Sequence, residues 1–298
     1  MKFFITGATG FVGTYLCRNL LEAGHEVTGV GTWPEHRLIS HDQFHYISAD
    51  TTQPGSWQDA LTDVDAVVNL AGKTIFNRWT TRYKIAMYDS RILTTRNLVD
   101  ALPDGRDVVL CSTSAVGYYG DQGDAVLSED APAGDDFLAR LGEHWEKEAL
   151  AAEAKGARVV LARFGIVLGR GGGALGKMVP AFRMMVGGPL GDGMQWFPWI
   201  HMDDIIAAVK FLVTTDATRG PFNFCAPNPV RNLELAKALG DVLQRPAVMP
   251  APAFMIRLVM GEFGNTLLAS QRAVPAKLLD SGFEFAFPEL HDALVDLV

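Results

Sequence analysis

The 298-residue sequence predicts an α/β fold, a doubly wound parallel sheet with a smaller C-terminal α/β lobe. Three observations predict it. Apolar runs of strand length alternate with longer segments whose apolar residues recur at helical spacing, as in a parallel sheet covered on both faces. The first strand and helix are joined by glycines 7, 10 and 13, which repeat every third residue. The length suits a large core and a second lobe.

The N-terminal stretch MKFFITGATGFVGTYLCRNLLEAG organises the rest. Lys2 to Thr6 reads as a buried strand. Val12, Tyr15, Leu16, Leu20 and Ala23 form a helical stripe, and Gly24 is placed to cap it. A strand, a glycine turn and a helix in this order make a phosphate site, because missing side chains and free N–H groups let an anion approach the backbone. The expected contacts are Gly7, Thr9, Gly10, Phe11, Val12 and Gly13.

Composition excludes several classes. Hydrophobic residues make up 48% and charged residues 20%, and the net charge of −8 comes without a Lys/Arg cluster, which argues against a nucleic-acid partner. No apolar stretch reaches membrane-spanning length, so no membrane partner is expected. A strand starting at Lys2 leaves no room for a signal peptide. Cys17, Cys111 and Cys225 each fall in an apolar segment and read as reduced core residues of a cytoplasmic protein. Cys and His show no metal-ligand spacing. Oligomeric state is not legible.

Glu26 to Val30 is the second strand. An acid at its end would bond a ribose 2′-hydroxyl and favour NAD. None is present, and Arg37 stands close enough to meet a 2′-phosphate, so NADP(H) is expected, with NAD possible. Phe44 to Ser48 and Val64 to Leu70 are the third and fourth strands. Asp50 after the third, and Leu70, Ala71 and Gly72 after the fourth, occupy the places for adenine and ribose; Asp50 fits a turn equally well. Ile75 to Leu102 reads as mostly helix, with Lys84 and Arg91 facing either an anionic ligand or solvent.

Asp107 to Cys111, the fifth strand, runs into Ser112-Thr113-Ser114-Ala115-Val116-Gly117-Tyr118-Tyr119-Gly120. Hydroxyls at the carboxyl end of a parallel strand stand where open α/β sheets bind ligands. Ser112 is expected beside the cofactor, and Ser114 to orient a substrate oxygen. A helix follows from about Asp135 to Lys155.

The stretch TGATGFVG from Thr6 resembles the extended and atypical short-chain dehydrogenase/reductases. That resemblance implies a Rossmann-type domain over about 1–165, a substrate lobe over 166–298 partly interleaved with it, and a Tyr and Lys four residues apart on the helix after the fifth strand. Aligning Trp145-Glu146 with the usual helix Glu puts Leu138 and Gly142 at those two places. Neither transfers a proton. Arg91 falls where extended members often carry Asn. This departure is similar to one branch, the YfcH-type epimerase-family proteins. The matching segments are SRILTT from Ser90, SAVGYYGD from Ser114, WEKEA from Trp145, GGGALGKMVPAF ending at Phe182, GGPLGDGMQWFPWIHMDD from Gly187, PFNFCAPNPV from Pro221 and VPAKLLDSGFEFAFPEL from Val274. The family-specific extension covers about 248–296.

In the second half, Ala157 to Leu168 is a buried strand whose Arg163 is either a structural ion pair or a site residue. Gly171 to Gly173 and Gly187 to Gly193 are placed to form a lid, and Lys177 to Val186 is helical. Gln195, Trp196 and Trp199 line a substrate pocket or pack a hinge between lobes. His201 is an acid/base candidate or a structural histidine before the helix Ile205 to Val213, which Asp203 or Asp204 would cap. Asn223 to Ala226 is a short strand, Asn232 caps a helix over Leu233 to Leu243, Phe254 to Ala269 is core or packing surface, and Pro288 opens the last helix, Glu289 to Leu297.

These observations, with the resemblance, imply a cytoplasmic NADP(H)-binding oxidoreductase or epimerase acting on a small polar molecule. Ser114 would orient the substrate, and Tyr118, Tyr119, Lys84 or His201 would move the proton. The alternative is a non-catalytic NADP(H)-binding regulatory or scaffold protein.

Overall fold

A computed structural model describes all 298 residues. Thirteen strands and ten α-helices follow the chain. The first half contains β1 (Lys2–Thr6), α1 (Phe11–Glu22), β2 (Glu26–Gly31), β3 (Phe44–Ser48), β4 (Ala66–Asn69), α2 (Thr81–Ala101), β5 (Val109–Ala115), β6 (Val126–Leu127), α3 (Phe137–Leu150) and β7 (Arg158–Phe164). Then come β8 (Ile166–Leu168), α4 (Leu175–Arg183), β9 (Trp196–Phe197), β10 (Trp199–His201), α5 (Met202–Thr214), β11 (Gly220–Phe224), β12 (Val230–Arg231) and α6 (Asn232–Leu243). The chain ends with α7 (Ala253–Met260), α8 (Glu262–Leu268), β13 (Arg272–Ala273), α9 (Ala276–Asp280) and α10 (Leu290–Leu297).

Seven strands form one parallel sheet in the order β11-β7-β5-β4-β1-β2-β3. The order reverses between β1 and β4, so a crevice opens beyond their carboxyl ends. Apolar residues of α1 and α5 cover one face, among them Leu16, Leu20, Ile205 and Val209. Leu98 and Val99 of α2, Ala149 of α3, Trp57 and Leu61 cover the other. Burial on both faces explains why the strands read as continuous apolar runs. The sheet draws α5 and its edge strand β11 from beyond residue 165. The C-terminal lobe packs Leu168, Phe182, Trp199, Leu235 and Leu239 against Leu290 and Leu294 of α10.

Several elements differ from their sequence expectations for local reasons. The long helix begins at Thr81, because the Thr80 hydroxyl caps it by accepting from Tyr83 N–H at 3.2 Å. The strand foreseen over Ala157 to Leu168 breaks at Gly165, where a Cβ would lie 2.6 Å from Pro198 O, and β8 leaves the main sheet to pair with β10. The cap of α5 is His201 rather than Asp203 or Asp204: its Nδ1 accepts from Asp203 N–H at 3.1 Å. Asp204 instead accepts from Ala286 N–H and Phe287 N–H, and burial raises its pKa. Asn232 lies inside α6, its side chain accepting from Leu190 N–H, while Glu234 accepts from Arg231 N–H at the cap. The apolar stretch from Phe254 splits at Gly261; Ile256 and Phe263 are buried, and Phe254, Leu258 and Val259 are exposed. The last helix is capped by Glu289, with Pro288 outside it.

Candidate functional site

The glycine turn is built for an anion. Gly7 adopts φ +69°, and a Cβ there would sit 2.9 Å from the Leu70 carbonyl. A Cβ on Gly13 would approach Gly7 O to 2.2 Å, so only glycine lets α1 start against the turn. No side chain caps α1. The N–H groups of Phe11, Val12 and Gly13 find no acceptor in the protein. Orphaned donors, a helix dipole and a backbone free of Cβ atoms fit a dinucleotide diphosphate. Leu70 and Ala71 close the back of this turn, and Ala71 N–H donates to Thr6 Oγ1 at 3.2 Å. Thr9 lies against the end of β2, where a Cβ on Gly31 would come within 2.7 Å of its hydroxyl.

Around this turn the other expected cofactor residues take distinct positions. Ser112 accepts a hydrogen bond from Asn69 Nδ2 at 3.2 Å, and the same amide nitrogen donates to Thr95 Oγ1 at 2.8 Å. Arg37 is exposed beyond β2 and pairs with Glu35 at 2.6 Å. Asp50 turns its carboxylate to its own loop, accepting from Thr52 N–H and Oγ1. The Phe11 ring is packed by the glycine loop after β8, since a Cβ on Gly172 or Gly173 would meet it within 2.8 Å.

At the end of β5 a buried polar network appears that the sequence did not announce. Ser114 Oγ donates to Glu146 Oε1 at 2.6 Å. Arg163 bonds both oxygens of Glu146 at 2.8 Å, and the two side chains are 4% and 8% exposed. Arg163 also donates to Tyr119 Oη at 2.9 Å and to Glu129 O at 3.0 Å. Burial works against its charge, but the two-point bond to Glu146 outweighs it and holds the pKa above the usual value. Tyr119 donates onward to Asn223 Oδ1 at 2.7 Å, and burial pushes its phenol up to about 12. Burial also raises Glu129, which accepts from Asn223 N–H and Lys277 N–H.

Tyr118 differs from its neighbour. Its ring lies 3.7 Å above the Arg163 guanidinium. A Cβ on Gly142 would touch its Cβ and Cδ2 at 3.4 Å, so the small residue on α3 makes room for it. Leu138 of α3 packs against Gly117 just before it. The Tyr118 hydroxyl has no hydrogen-bond partner in the protein.

The remaining residues are distributed as follows. Lys84 pairs with Glu262 at 2.9 Å. Arg91 stacks on Trp145, 5.1 Å from the ring centre. Gln195 is buried and donates to Leu190 O at 3.1 Å. Trp196 carries Arg231 and Arg272 over its ring at 4.4 and 4.5 Å and donates to Asp124 at 2.8 Å. Near it Gly123, Asp124, Asp192, Arg231, Arg257 and Ser270 border an open polar cavity of about 660 Å³. Trp199 and His201 are each 1% exposed. The His201 ring stacks on Phe287 at 3.8 Å, and its Nε2 faces Asp296 Oδ2 at 3.4 Å, so it joins α5 to the C-terminal helix. All three cysteines are free and buried; burial pushes the Cys17 and Cys111 thiols up to about 12. No group of three or more His, Cys, Asp or Glu is arranged to hold a metal ion. No helix is long and apolar enough to cross a membrane.

Sheet order, glycine turn and orphaned N–H groups define a protein of the Rossmann type. The chain belongs to the NAD dependent epimerase/dehydratase family, which residues 3–225 match; residues 251–297 match a domain of unknown function, DUF1731. A relative from Arabidopsis thaliana, the chloroplastic homolog of epimerase family protein SDR39U1, is 39% identical over 99% of this chain and 86% of its own. The solved structure of human epimerase family protein SDR39U1 (isoform 2), with NADPH, superimposes with a TM-score of 0.87 at 33% identity, covering 100% of this chain and 99% of that one. A nucleoside-diphosphate sugar epimerase from Corynebacterium glutamicum gives a TM-score of 0.77 at 31% identity, covering 99% of this chain and 57% of that longer one.

Proposed function

We propose that this protein binds NADP(H) and is an oxidoreductase of the nucleoside-sugar-epimerase type, acting on a small polar substrate over the ends of β4 and β5. The orphaned N–H groups of α1 support the cofactor, as does the NADPH in the human relative's structure. Arg37, whose charge is offset only by exposed Glu35, is the residue for a 2′-phosphate. The Corynebacterium glutamicum relative supports a sugar nucleotide as substrate.

Bound NADP(H) would supply hydride exchange at a carbon whose oxygen must gain or lose a proton. The chain supplies the groups that hold that oxygen. Ser114 donates its O–H in a hydrogen bond to Glu146, which leaves its lone pairs to accept a hydrogen bond from a substrate hydroxyl. For the proton itself, Tyr119 is committed to Arg163 and Asn223, Lys84 to Glu262, and His201 to the α5 cap. Tyr118 alone of these four keeps a free hydroxyl, and it rests on a permanent cation. That free hydroxyl carries the proposal. Arg163 takes the place of the Lys that accompanies the Tyr in related enzymes.

The experiment is NADPH oxidation on a panel of sugar nucleotides and small carbonyl compounds, for wild type and Tyr118→Phe. Loss of turnover by about 10²- to 10⁴-fold is expected, with NADPH affinity unchanged. Unaltered turnover removes Tyr118 from the mechanism. Leu138 and Gly142 at the places of the usual dyad favour a second reading, an NADP(H)-binding regulatory protein. Tight NADPH binding with no turnover by wild type on the whole panel would favour it.

A further inference from the structure

Most of α7 faces water, yet its exposed residues are apolar. Phe254 and Leu258 lie one turn apart on its outer side, with exposed Met255 and Val259 beside them, and only Ile256 is buried. Arg257 is its one charged residue. A helix apolar on nearly every side belongs inside a core, and this one is covered on a single side. The apolar surface continues along the chain before it, through exposed Val248 and Met249. It then crosses to the turn after α4. Met249 N–H donates to Gly187 O at 3.3 Å and Ala251 N–H to Pro189 O at 2.9 Å, so the two segments run side by side. A Cβ on Gly188 would lie 2.1 Å from Met249 O, so glycine permits that approach. Met184, Met185 and Val186 lead into this ribbon and are exposed. Met185 holds φ +62°, where glycine is the unstrained residue, so its apolar side chain brings backbone strain with no burial in the single chain.

The nine apolar side chains of this strip are 49% to 76% exposed. At about 200 Å² for a large apolar side chain, they offer roughly 1,000 Å² on each protomer. The largest apolar patch on a monomer is about 300–600 Å², and a stable interface takes about 800 Å² from each partner. Charge says what covers the strip. Arg183, Arg245 and Arg257 border it, as do Asp192 beside Gly191 and Asp241 one turn before Arg245. All five are exposed, and no opposite charge pairs with any of them. A rim of both signs is self-complementary about a two-fold axis, which lays cations of one copy against carboxylates of the other. Carboxylates at the rim and a net charge of −8 disfavour an anionic lipid surface.

We propose that this strip, centred on α7, is the surface through which two copies of the chain associate as a two-fold dimer. A methionine-rich apolar centre inside a polar rim is the composition of such contacts. Ala253 and Arg257 also border the open polar cavity, so the contact lies beside that cavity.

The test is analytical ultracentrifugation of the full chain across a dilution series. Wild type should sediment as a dimer with a Kd of about 1 μM or tighter, as interfaces of this size do. Phe254→Glu combined with Leu258→Glu, two changes at water-facing positions, should raise that Kd at least a hundredfold with an unchanged circular dichroism spectrum. A second measurement does not depend on that variant folding. All native cysteines are buried, so Leu258→Cys introduces the one accessible thiol. A short bismaleimide should join two such chains, and should leave Asp104→Cys, exposed beyond the far end of α2, unjoined. The proposal falls if wild type stays monomeric at about 100 μM, well above the expected Kd. It falls too if the folded double variant dimerises as wild type does, or if Leu258→Cys is joined no better than Asp104→Cys. Monomeric wild type that floats with phosphatidylglycerol vesicles would assign the strip to a membrane, and would equally overturn the proposal.

Discussion

Glu146→Gln isolates the charge that holds the end of β5 to α3. The substitution keeps size and one carbonyl oxygen for the Ser114 hydroxyl, and it leaves Arg163 as a cation 4% exposed beside a neutral amide. Tyr119 Oη and Glu129 O remain as acceptors, but neither carries charge. Breaking a buried pair from one side costs about 3–5 kcal/mol. With an unfolding entropy of about 2.1 cal/mol/K per residue, that lowers Tm by roughly 5–8 °C for a chain of this length. Urea unfolding followed by tryptophan fluorescence reads the free energy, and Trp145 beside Glu146 reports locally. Arg163→Met should cost a similar amount. The double variant Glu146→Gln with Arg163→Met should cost less than the two singles together by about 2 kcal/mol or more, because the stranded charge is gone. A single-variant loss under about 1 kcal/mol, or additivity within about 0.5 kcal/mol, would refute the account of this pair.

Two further outcomes follow from the geometry. Gly13→Ala forces a methyl to within 2.2 Å of Gly7 O; NADPH fluorescence titration should show affinity reduced at least tenfold, and unchanged affinity would show that the turn is not the diphosphate site. Tyr119 holds its proton more tightly when folded, near 12 against an ordinary 10, so its contribution is complete below pH 10 and is lost as pH rises through about 12. Two pKa units correspond to about 3 kcal/mol. Between pH 9.5 and 12 wild type should lose that much more stability than Tyr119→Phe, measured by denaturant unfolding at each pH; parallel curves would show that the phenol is not buried as described.

The first strand, the glycine turn and the first helix were legible because each depends on residues close in sequence. Gly13 is required by the Gly7 carbonyl one turn before it and Gly7 by its own positive φ, and the strands read as apolar runs because both faces are covered. The polar network was not legible. Arg163 and Glu146 lie 17 residues apart, and Tyr119 reaches Asn223 across 104 residues. A buried arginine in a strand signalled that a partner must exist, but no periodicity says which carboxylate it is. The helix caps failed for a related reason. Asp203 and Asp204 have the better capping side chains, yet tertiary contacts draw Asp204 to the backbone of residues 286 and 287, and His201 is left to cap α5.

By itself, then, the sequence determined the parallel α/β sheet, the order of its first elements and the glycine turn, since local sterics and hydrophobic period act within a few residues. The tertiary structure alone decided which polar groups are spent and which are free. Ser114, Tyr118, Tyr119, Lys84, Arg91 and His201 are indistinguishable in the sequence as reactive groups. Packing pairs Ser114, Tyr119 and Lys84 with partners far along the chain, spends His201 on the cap of α5, and leaves the Tyr118 hydroxyl and two Arg91 nitrogens without a partner. Hydrogen-bond satisfaction is a property of the folded chain, because it depends on which distant groups burial brings within 3 Å or so of each other.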